Sequence, residues 1–321
     1  MNLSALLLAG GEGTRLRPLT HQVPKAVLPL VNRPFLHYQL DLLRGAGILR
    51  AVLLSGFGAG RIREALGSSA CGVTLDYIEE QEPLGTGGAI GNAGRVLHSP
   101  AVVTNGDVLT DLDIGKALRF HEKMGGIGTM VVYPVDDPRR YGTVMAASNG
   151  RIAKFFEKPE HPVSNLINAG FYILEPEFFD LIPPGPGSIE RDIFPKAVQS
   201  RKGLFAYIHN GYWKDIGTLD SYREATCDLL EGRLDRFHSE ALKNRILSPV
   251  EASARIDRLS VIGPGCVIGG DVRVENSVLF PGVRLWEGCR VSGSILGTGV
   301  CISPGQNVED AVLVLQQRRE P

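Results

Sequence analysis

No stretch of this 321-residue chain approaches the roughly 18 uninterrupted apolar residues that a membrane-spanning helix needs. Its five cysteines, Cys71, Cys227, Cys266, Cys289 and Cys301, form no C-x-x-C pair, so neither a zinc knuckle nor a disulfide framework is indicated. An odd, scattered set fits a reducing compartment. Excess charge of either sign is also missing: 34 Lys+Arg stand against 35 Asp+Glu, a formal net charge of -1. So balanced a chain has no general field to gather nucleic acid or an anionic membrane, and neither is expected as a partner. The opening MNLSALLLAGGEG lacks a basic flank and runs quickly into glycine, so it reads as a buried strand and not as a signal peptide. A cytoplasmic protein is the expectation.

What the chain has in excess is glycine, 39 of 321 residues, or about 12% against the usual ~7%. Apolar residues at 43% are ample for a core, and the length suits two domains. Through residue 235, short apolar runs (LSALLLAG, RAVLLSGF, VTLDYIEE, AVVTNGD) alternate with helical stretches such as PFLHYQLDLLRGAG and the glycine-led GTGGAIGNAGRVL. IGTMVVYPV, RIAKFFEKP and LINAGFYILEP add further strands. This is the pattern of an α/β fold, a Rossmann-like, mixed but mostly parallel sheet flanked by helices. After an expected linker at 236–252, the region 253–321 repeats in blocks of seventeen: 261–277, 278–294 and 295–311. Aliphatic residues recur at Ile262, Ile268, Val274, then Leu279, Leu285, Val291, then Leu296, Ile302, Val308. Steps of six, six and five imply three sides of a coil with glycine and proline at the corners, resembling the hexapeptide repeat of a short left-handed parallel β-helix. Such a stack exposes unpaired edges, which makes a homo-oligomer joined through these coils the expectation.

The chemistry concentrates in LLLAGGEGTRLRPLTHQVPKAVLPL. Gly10, Gly11 and Gly13 follow a strand, and their missing side chains let backbone N–H groups approach an anion. The spacing is not that of a P-loop, and Leu16 stands where a dinucleotide fingerprint wants its third glycine. Arg15 and Lys25 would hold a triphosphate and offset charge developing on a transferred phosphoryl group. The alternative is a glycine-rich turn with two solvated cations. Asp107 ends a predicted parallel strand, where ligands usually sit, unless it only caps the following helix. With Asp215 of GYWKDIGT it would supply two carboxylates for Mg²⁺, provided the two converge. Lys158, fixed by Pro159, would serve as a point charge for a monophosphate, with Glu157 accepting sugar hydroxyls; a solvated surface pair is the alternative. Trp213 reads as packing beneath the Asp215 loop, and no role follows for His21 or His209.

Together the segments AGGEGTRLRPLT…PKAVLPL, EPLGTGGAI, NGDVLTDL, FFEKP, INAGFYILEP, SIERDIFP and GYWKDIGT resemble the sugar-1-phosphate nucleotidyltransferases, in order across residues 1–225. The nearest branch is the one that uses GTP and mannose 1-phosphate. The resemblance implies Mg²⁺-dependent transfer of a nucleotidyl group from an NTP to a sugar 1-phosphate, giving an NDP-sugar and pyrophosphate. It implies a nucleotide site formed by Leu8, Gly10, Gly11, Gly13, Thr14 and Arg15, with Glu80, Gly85 and Thr86 at the base. Lys25 would lie near the reacting phosphates, Asp107 and Asp215 would hold the magnesium, and Gly142, Glu157, Lys158 and Asn168 would line the sugar phosphate pocket. One departure is LGTGG where that branch usually has LGTAG: the methyl missing at Gly87 would loosen the fit of base or sugar. Three alternatives stay open. They are the same chemistry with glucose 1-phosphate and UTP, dTTP or CTP, a non-catalytic sugar-nucleotide-binding regulatory subunit, and an additional acyl transfer by the coils. The last is weakened by the absence of any histidine beyond Ile262.

Overall fold

The computed structural model describes residues 3–95 and 97–315. They form two compact units, the first made of Met1–Glu12 and Leu36–Asp215, the second of Gly13–Phe35 and Ile216–Pro321. The first unit carries β1 (Ser4–Leu8), α1 (Phe35–Gly45), β2 (Arg50–Ser55), α2 (Ala59–Leu66), β3 (Val73–Glu79), α3 (Gly85–Gly94) and β4 (Ala101–Asn105). It continues with β5 (Val108–Thr110), α4 (Ile114–Met124), β6 (Gly128–Pro134), β7 (Thr143–Ala146), β8 (Ile152–Phe156), β9 (Leu166–Leu174), β10 (Leu204–Ile208) and β11 (Trp213–Asp215). The runs ALLL in β1 and AVV in β4 are apolar without a break because both faces of a central parallel strand are covered. The parallel strands lie in the order β3-β2-β1-β4, and β9 then runs antiparallel to β4 and carries β6 and β7. Leu6, Val103, Met130, Val132, Tyr172 and Leu174 are fully buried at the heart of this sheet. No helix among the described residues is long and apolar enough to cross a membrane.

The division of the chain differs from the segmentation read from sequence. Most of the expected linker is helical: α5 (Leu219–Leu230) is followed by α6 (Asp235–Asn244), which buries Phe237 and Ala241. The loop Gly13–Phe35 groups with the coils, and its anchors are polar. Tyr222 Oη donates to Pro29 O at 2.5 Å, and Asn32 Nδ2 donates to Asn244 O and Ile262 O, each at 2.8 Å. Single side-chain-to-backbone bonds of this kind leave no periodic trace in a sequence.

The coils stack in parallel register as the seventeen-residue period implies: Val261 on Val278 on Ile295, and Arg273 on Arg290 on Asn307. All the expected inward aliphatics are buried except Val308, which is partly so. A second inward series, Cys266, Val272, Val283, Cys289 and Val300, packs between them, so two of the cysteines are core residues. One coil more exists than the repeat indicated. Ile246 bridges Ile262, Val250 bridges Ile268, and Arg255–Ile256 pair with Arg273–Val274. There the offset to the next coil varies, so the period is lost. Each corner holds a left-handed backbone with φ between 44° and 74°, at Gly265, Gly282 and Gly299, at Asp271, Gly288 and Gly305, and at Asn276, Gly293 and Asp310. These are the residue types that tolerate such a conformation, which explains part of the glycine excess.

A buried serine ladder runs up one edge of the stack. The Ser260 hydroxyl accepts from Ser277 N (3.2 Å), Ser277 from Ser294 N (3.0 Å) and Ser294 from Ala311 N (3.0 Å). Ser277 and Ser294 also donate to the carbonyls of Glu275 and Ser292. Ser277→Ala would leave a buried N–H without an acceptor, and we expect a loss of about 1–3 kcal/mol of stability. A lowered denaturant midpoint with unchanged slope is the expected reading, and an unchanged midpoint would refute the ladder's importance.

Candidate active site

In the order β3-β2-β1-β4 the connection reverses direction at β1, and the carboxyl ends of β1 and β4 border the crevice where ligands of such sheets bind. Leu8 pairs with Leu54 and Asn105, so the chain ends of β1, β2 and β4 lie level. Three backbone bonds extend the ladder beyond the strands: Ala9 N to Leu54 O, Glu80 N to Ser55 O and Gly106 N to Leu8 O, all 2.8 Å. A side chain on Gly106 would overlap the Leu8 carbonyl, and one on Gly10 would come within 3.2 Å of Gly56 N. Beside Gly11 the space is open. Leu8, Gly10, Gly11 and Glu80 therefore share one edge of the first unit. The Glu80 carboxylate accepts from Leu84 N at 3.1 Å and so shapes the approach to α3.

Asp107 lies in the turn between β4 and β5. β5 pairs antiparallel with β11, matching Asp215 to Val108, Lys214 to Leu109 and Trp213 to Thr110. Asp107 and Asp215, more than a hundred residues apart in sequence, are thus one register step apart. The turn itself is tied to α1 by Gln39, whose Nε2 donates to Asn105 O (2.6 Å) and Val108 O (3.0 Å). Asp107 is not a helix cap: α4 is capped by Asp113, which accepts from Lys116 N at 2.9 Å. Asn105 Oδ1, buried beside this turn, has no hydrogen-bond partner. Trp213 packs as expected, stacked on Tyr133 at 5.4 Å with its Nε1 donating to Ala169 O at 2.9 Å.

A second cluster gathers the expected sugar-phosphate residues. Asn168 donates from Nδ2 to Tyr172 Oη (2.8 Å) and accepts from Gly170 N (3.0 Å), while its own N–H donates to Gly142 O (2.8 Å). A Cβ on Gly142 would sit 2.9 Å from Glu157 Oε2, so glycine there leaves the carboxylate its room. Lys158 Nζ lies 3.3 Å from Glu157 Oε1; the lysine is exposed and the carboxylate largely covered. Lys158 also holds φ at 45°, a strained value for a non-glycine residue, immediately before Pro159. Burial raises the Glu157 carboxyl above its usual range, opposed by the Lys158 charge and reinforced by Glu190. Burial likewise pushes the Tyr172 phenol well up, with Glu190 adding to it. Glu190 is the residue sequence reasoning passed over, although SIERDIFP drew notice. Its carboxylate accepts from Thr86 Oγ1 and Ser188 Oγ, both at 2.7 Å. Thr86 Oγ1 in turn accepts from Ile189 N at 3.0 Å, so the Thr86 hydroxyl holds the 188–190 segment against α3.

That contact explains how GTGGAIGNAG can be helical. A Cβ on Gly85, Gly87 or Gly88 would fall between 2.6 and 3.1 Å from backbone of residues 185–189. Those on Gly91 and Gly94 would overlap Ile182 and Phe179. The weak helix former is retained because the neighbouring chain occupies every missing methyl. The position of Gly87 therefore corrects the expectation of a looser ligand fit: 3.0 Å away stand Ser188 C and Ile189 N, not open space.

Gly13, Thr14, Arg15 and Lys25 belong to the second unit. Gly13 has φ 61°, its carbonyl accepts from Thr20 Oγ1 at 2.9 Å, and a Cβ there would lie 3.1 Å from Lys25 Cβ. Thr14–Leu16 and Lys25–Val27 are single 3₁₀ turns, so Gly13 folds the loop back on the Lys25 turn. Among the described residues no group of three or more His, Cys, Asp or Glu is placed to hold a metal. Two carboxylates one register step apart beside an unpartnered amide oxygen fit Mg²⁺, which takes one or two protein carboxylates and fills its octahedron with phosphate and water oxygens.

Residues 4–232 match the model of the nucleotidyl transferase family, and 247–317 that of a GMPPB C-terminal domain. The mannose-1-phosphate guanylyltransferase of Mycobacterium tuberculosis is 35% identical over 286 residues, 87% of this chain and 80% of that protein. The mannose-1-phosphate guanylyltransferase catalytic subunit beta of Drosophila melanogaster is 37% identical over 267 residues, 82% of this chain and 71% of that one. Among solved structures, HddC from Yersinia pseudotuberculosis superposes with a TM-score of 0.60 at 31% identity, covering 69% of this chain and 97% of its own.

Gly87→Ala tests the packing of α3. The added methyl must displace the 188–190 backbone, and we expect a loss of about 1–3 kcal/mol in chemical denaturation. Full retention of stability would show that the segment yields freely.

Proposed function

Since the chain belongs to the sugar-1-phosphate nucleotidyltransferases, we propose that it transfers a guanylyl group from GTP to mannose 1-phosphate, releasing pyrophosphate and GDP-mannose. The observation that carries this reading is the β5–β11 ribbon, which sets Asp215 one register step from Asp107 at the mouth of the β1–β4 crevice. The choice of GTP and mannose 1-phosphate is supported by the Mycobacterium tuberculosis and Drosophila melanogaster relatives, both described as mannose-1-phosphate guanylyltransferases.

The sugar phosphate is already an anionic nucleophile, so no general base is required. The difficulty is to bring two anions together in line with the leaving pyrophosphate. In this reading the backbone of Gly10, Gly11 and Gly13, with Leu8 and Thr14, encloses the nucleotide phosphates, and Arg15 and Lys25 offset their charge. Glu80 and Gly85 border the base, and Thr86 steadies the 188–190 segment. Lys158, exposed beside Glu157, holds the sugar phosphate as a point charge. Glu157, Glu190 and Asn168 accept or donate to sugar hydroxyls, with Gly142 leaving space for the Glu157 carboxylate. Asp107 and Asp215 would hold Mg²⁺, which when bound draws charge from the α-phosphate and the departing pyrophosphate.

The coils are proposed to join subunits, since Val267 and Trp286 stand exposed on their outward positions. Light scattering of a strict monomer would overturn that. Free cysteines at all five positions support a reducing, cytoplasmic setting.

Pyrophosphate release, measured over a grid of NTPs and sugar 1-phosphates with Mg²⁺, is expected to peak at GTP with mannose 1-phosphate. A dominant signal with another pair would keep the chemistry and reject the specificity. Asp107→Asn and Asp215→Asn should each lower kcat by about 10²–10³-fold with an unchanged melting temperature. Near-normal turnover of both at saturating Mg²⁺ would refute the metal assignment.

A further inference from the structure

The ribbon that carries Asp215 is only three residue pairs long. Two strands of that length do not hold their own register in water, and a slip of one residue would turn Asp215 to the opposite face. Something beyond the ladder must pin it. At its far end lies a knot of polar groups without a part in the proposed chemistry. Asp111 Oδ1 accepts from Tyr212 N at 2.8 Å and lies 3.1 Å from His209 Nε2. The same Nε2 is 3.0 Å from Tyr212 O and 3.1 Å from Thr110 Oγ1, while Thr110 Oγ1 donates to Tyr212 O at 2.7 Å. A carbonyl and a carboxylate oxygen both face Nε2, and neither can donate, so Nε2 carries the proton. His209 N donates to Val132 O at 2.9 Å, anchoring the knot on β6. Gly211 closes it, since a side chain there would overlap Asp111.

We propose that Asp111 and His209 are positioning residues, clamping the 209–212 turn so that Trp213–Asp215 pairs with β5 in the one register that brings Asp215 to Asp107. The inference rests on the reading of Asp215 as a magnesium ligand. Neither clamp residue touches substrate or metal; each acts through the ribbon. Its effect is like that of the outer groups that orient metal ligands, whose loss typically weakens metal binding about 10–100-fold.

The test uses the full chain in a Trp286→Phe background, which leaves Trp213 as the single tryptophan. Binding of Mn²⁺ in the presence of GTP, without sugar phosphate, is followed by electron paramagnetic resonance, and Trp213 emission reports the ribbon. For His209→Ala and Asp111→Ala we expect Mn²⁺ affinity to fall about tenfold and Trp213 emission to shift to the red. His209→Gln, which keeps an N–H donor, should recover most of both signals and guards against a variant that simply fails to fold. Asp215→Asn should lose Mn²⁺ affinity with Trp213 emission unchanged. If the alanine variants keep both wild-type Mn²⁺ affinity and wild-type emission, the clamp is refuted while the reading of Asp215 stands. If Asp215→Asn binds Mn²⁺ like wild type, the metal reading fails and takes the proposed purpose of the clamp with it.

Discussion

Backbone packed directly against backbone, where no Cβ intervenes, is the constraint on which each unit depends. In the first unit Gly106 lets β4 and β1 close to hydrogen-bonding distance past their own ends, and α3 lies on residues 185–189 because Gly85, Gly87 and Gly88 face that way. In the second unit glycine turns most of the coil corners, and Asn or Asp turns the others. The cost is backbone entropy in the unfolded chain, on the order of 0.5–1 kcal/mol for each glycine inside an element. What it allows is a strand-end crevice whose walls are main chain, with N–H groups that neither titrate nor change rotamer. Donors of this kind need no net charge, which is compatible with a chain whose ionisable groups almost cancel.

Charge is instead applied locally, and in matched pairs. Glu157 is largely covered and its carboxyl is pushed up by burial, while Lys158 beside it remains exposed to approaching ligands. Glu190 adds negative potential to both Glu157 and Tyr172, while its Oε2 accepts from both Thr86 and Ser188. An arrangement of half-buried acceptors around one exposed ammonium suits a ligand with hydroxyls at one end and a phosphate at the other. It would suit a plain anion poorly, because an anion gains from the lysine and loses to both carboxylates.

Much of this was legible in the sequence, and what was not has common physical causes. Apolar runs revealed the strands because central parallel strands are covered on both faces, and the coils revealed themselves through a strict period. The extra coil at 246–260 escaped because its offset to the next coil varies there. The sequence pairs Asp107 with Asp215 as candidate ligands, but the ribbon that sets Asp215 opposite Val108 escaped because register between segments a hundred residues apart leaves no local pattern. Glu190 was hidden for a third reason, since its place depends on Thr86 and a glycine helix that look unrelated to it. Gly87 misled because a missing methyl reads as free space until the chain that fills it is known.

Two carboxylates, as proposed for Asp107 and Asp215, would make a weak metal site, governed by placement more than by ligand number. With most of the octahedron left to phosphate and water, any drift of either carboxylate changes how many bonds the ion can complete at once. Asp107 is held directly: its turn hangs from β1 through Gly106 and from α1 through Gln39. Asp215 has only a three-residue ribbon, at the last residue before the chain leaves the first unit. The aromatic stack of Trp213 on Tyr133 and the polar knot around His209 compensate for that shortness, the one fixing depth and the other register. A buried polar knot is costly to assemble unless every member is paired. Its presence three residues from Asp215 follows if that carboxylate must stand in one place.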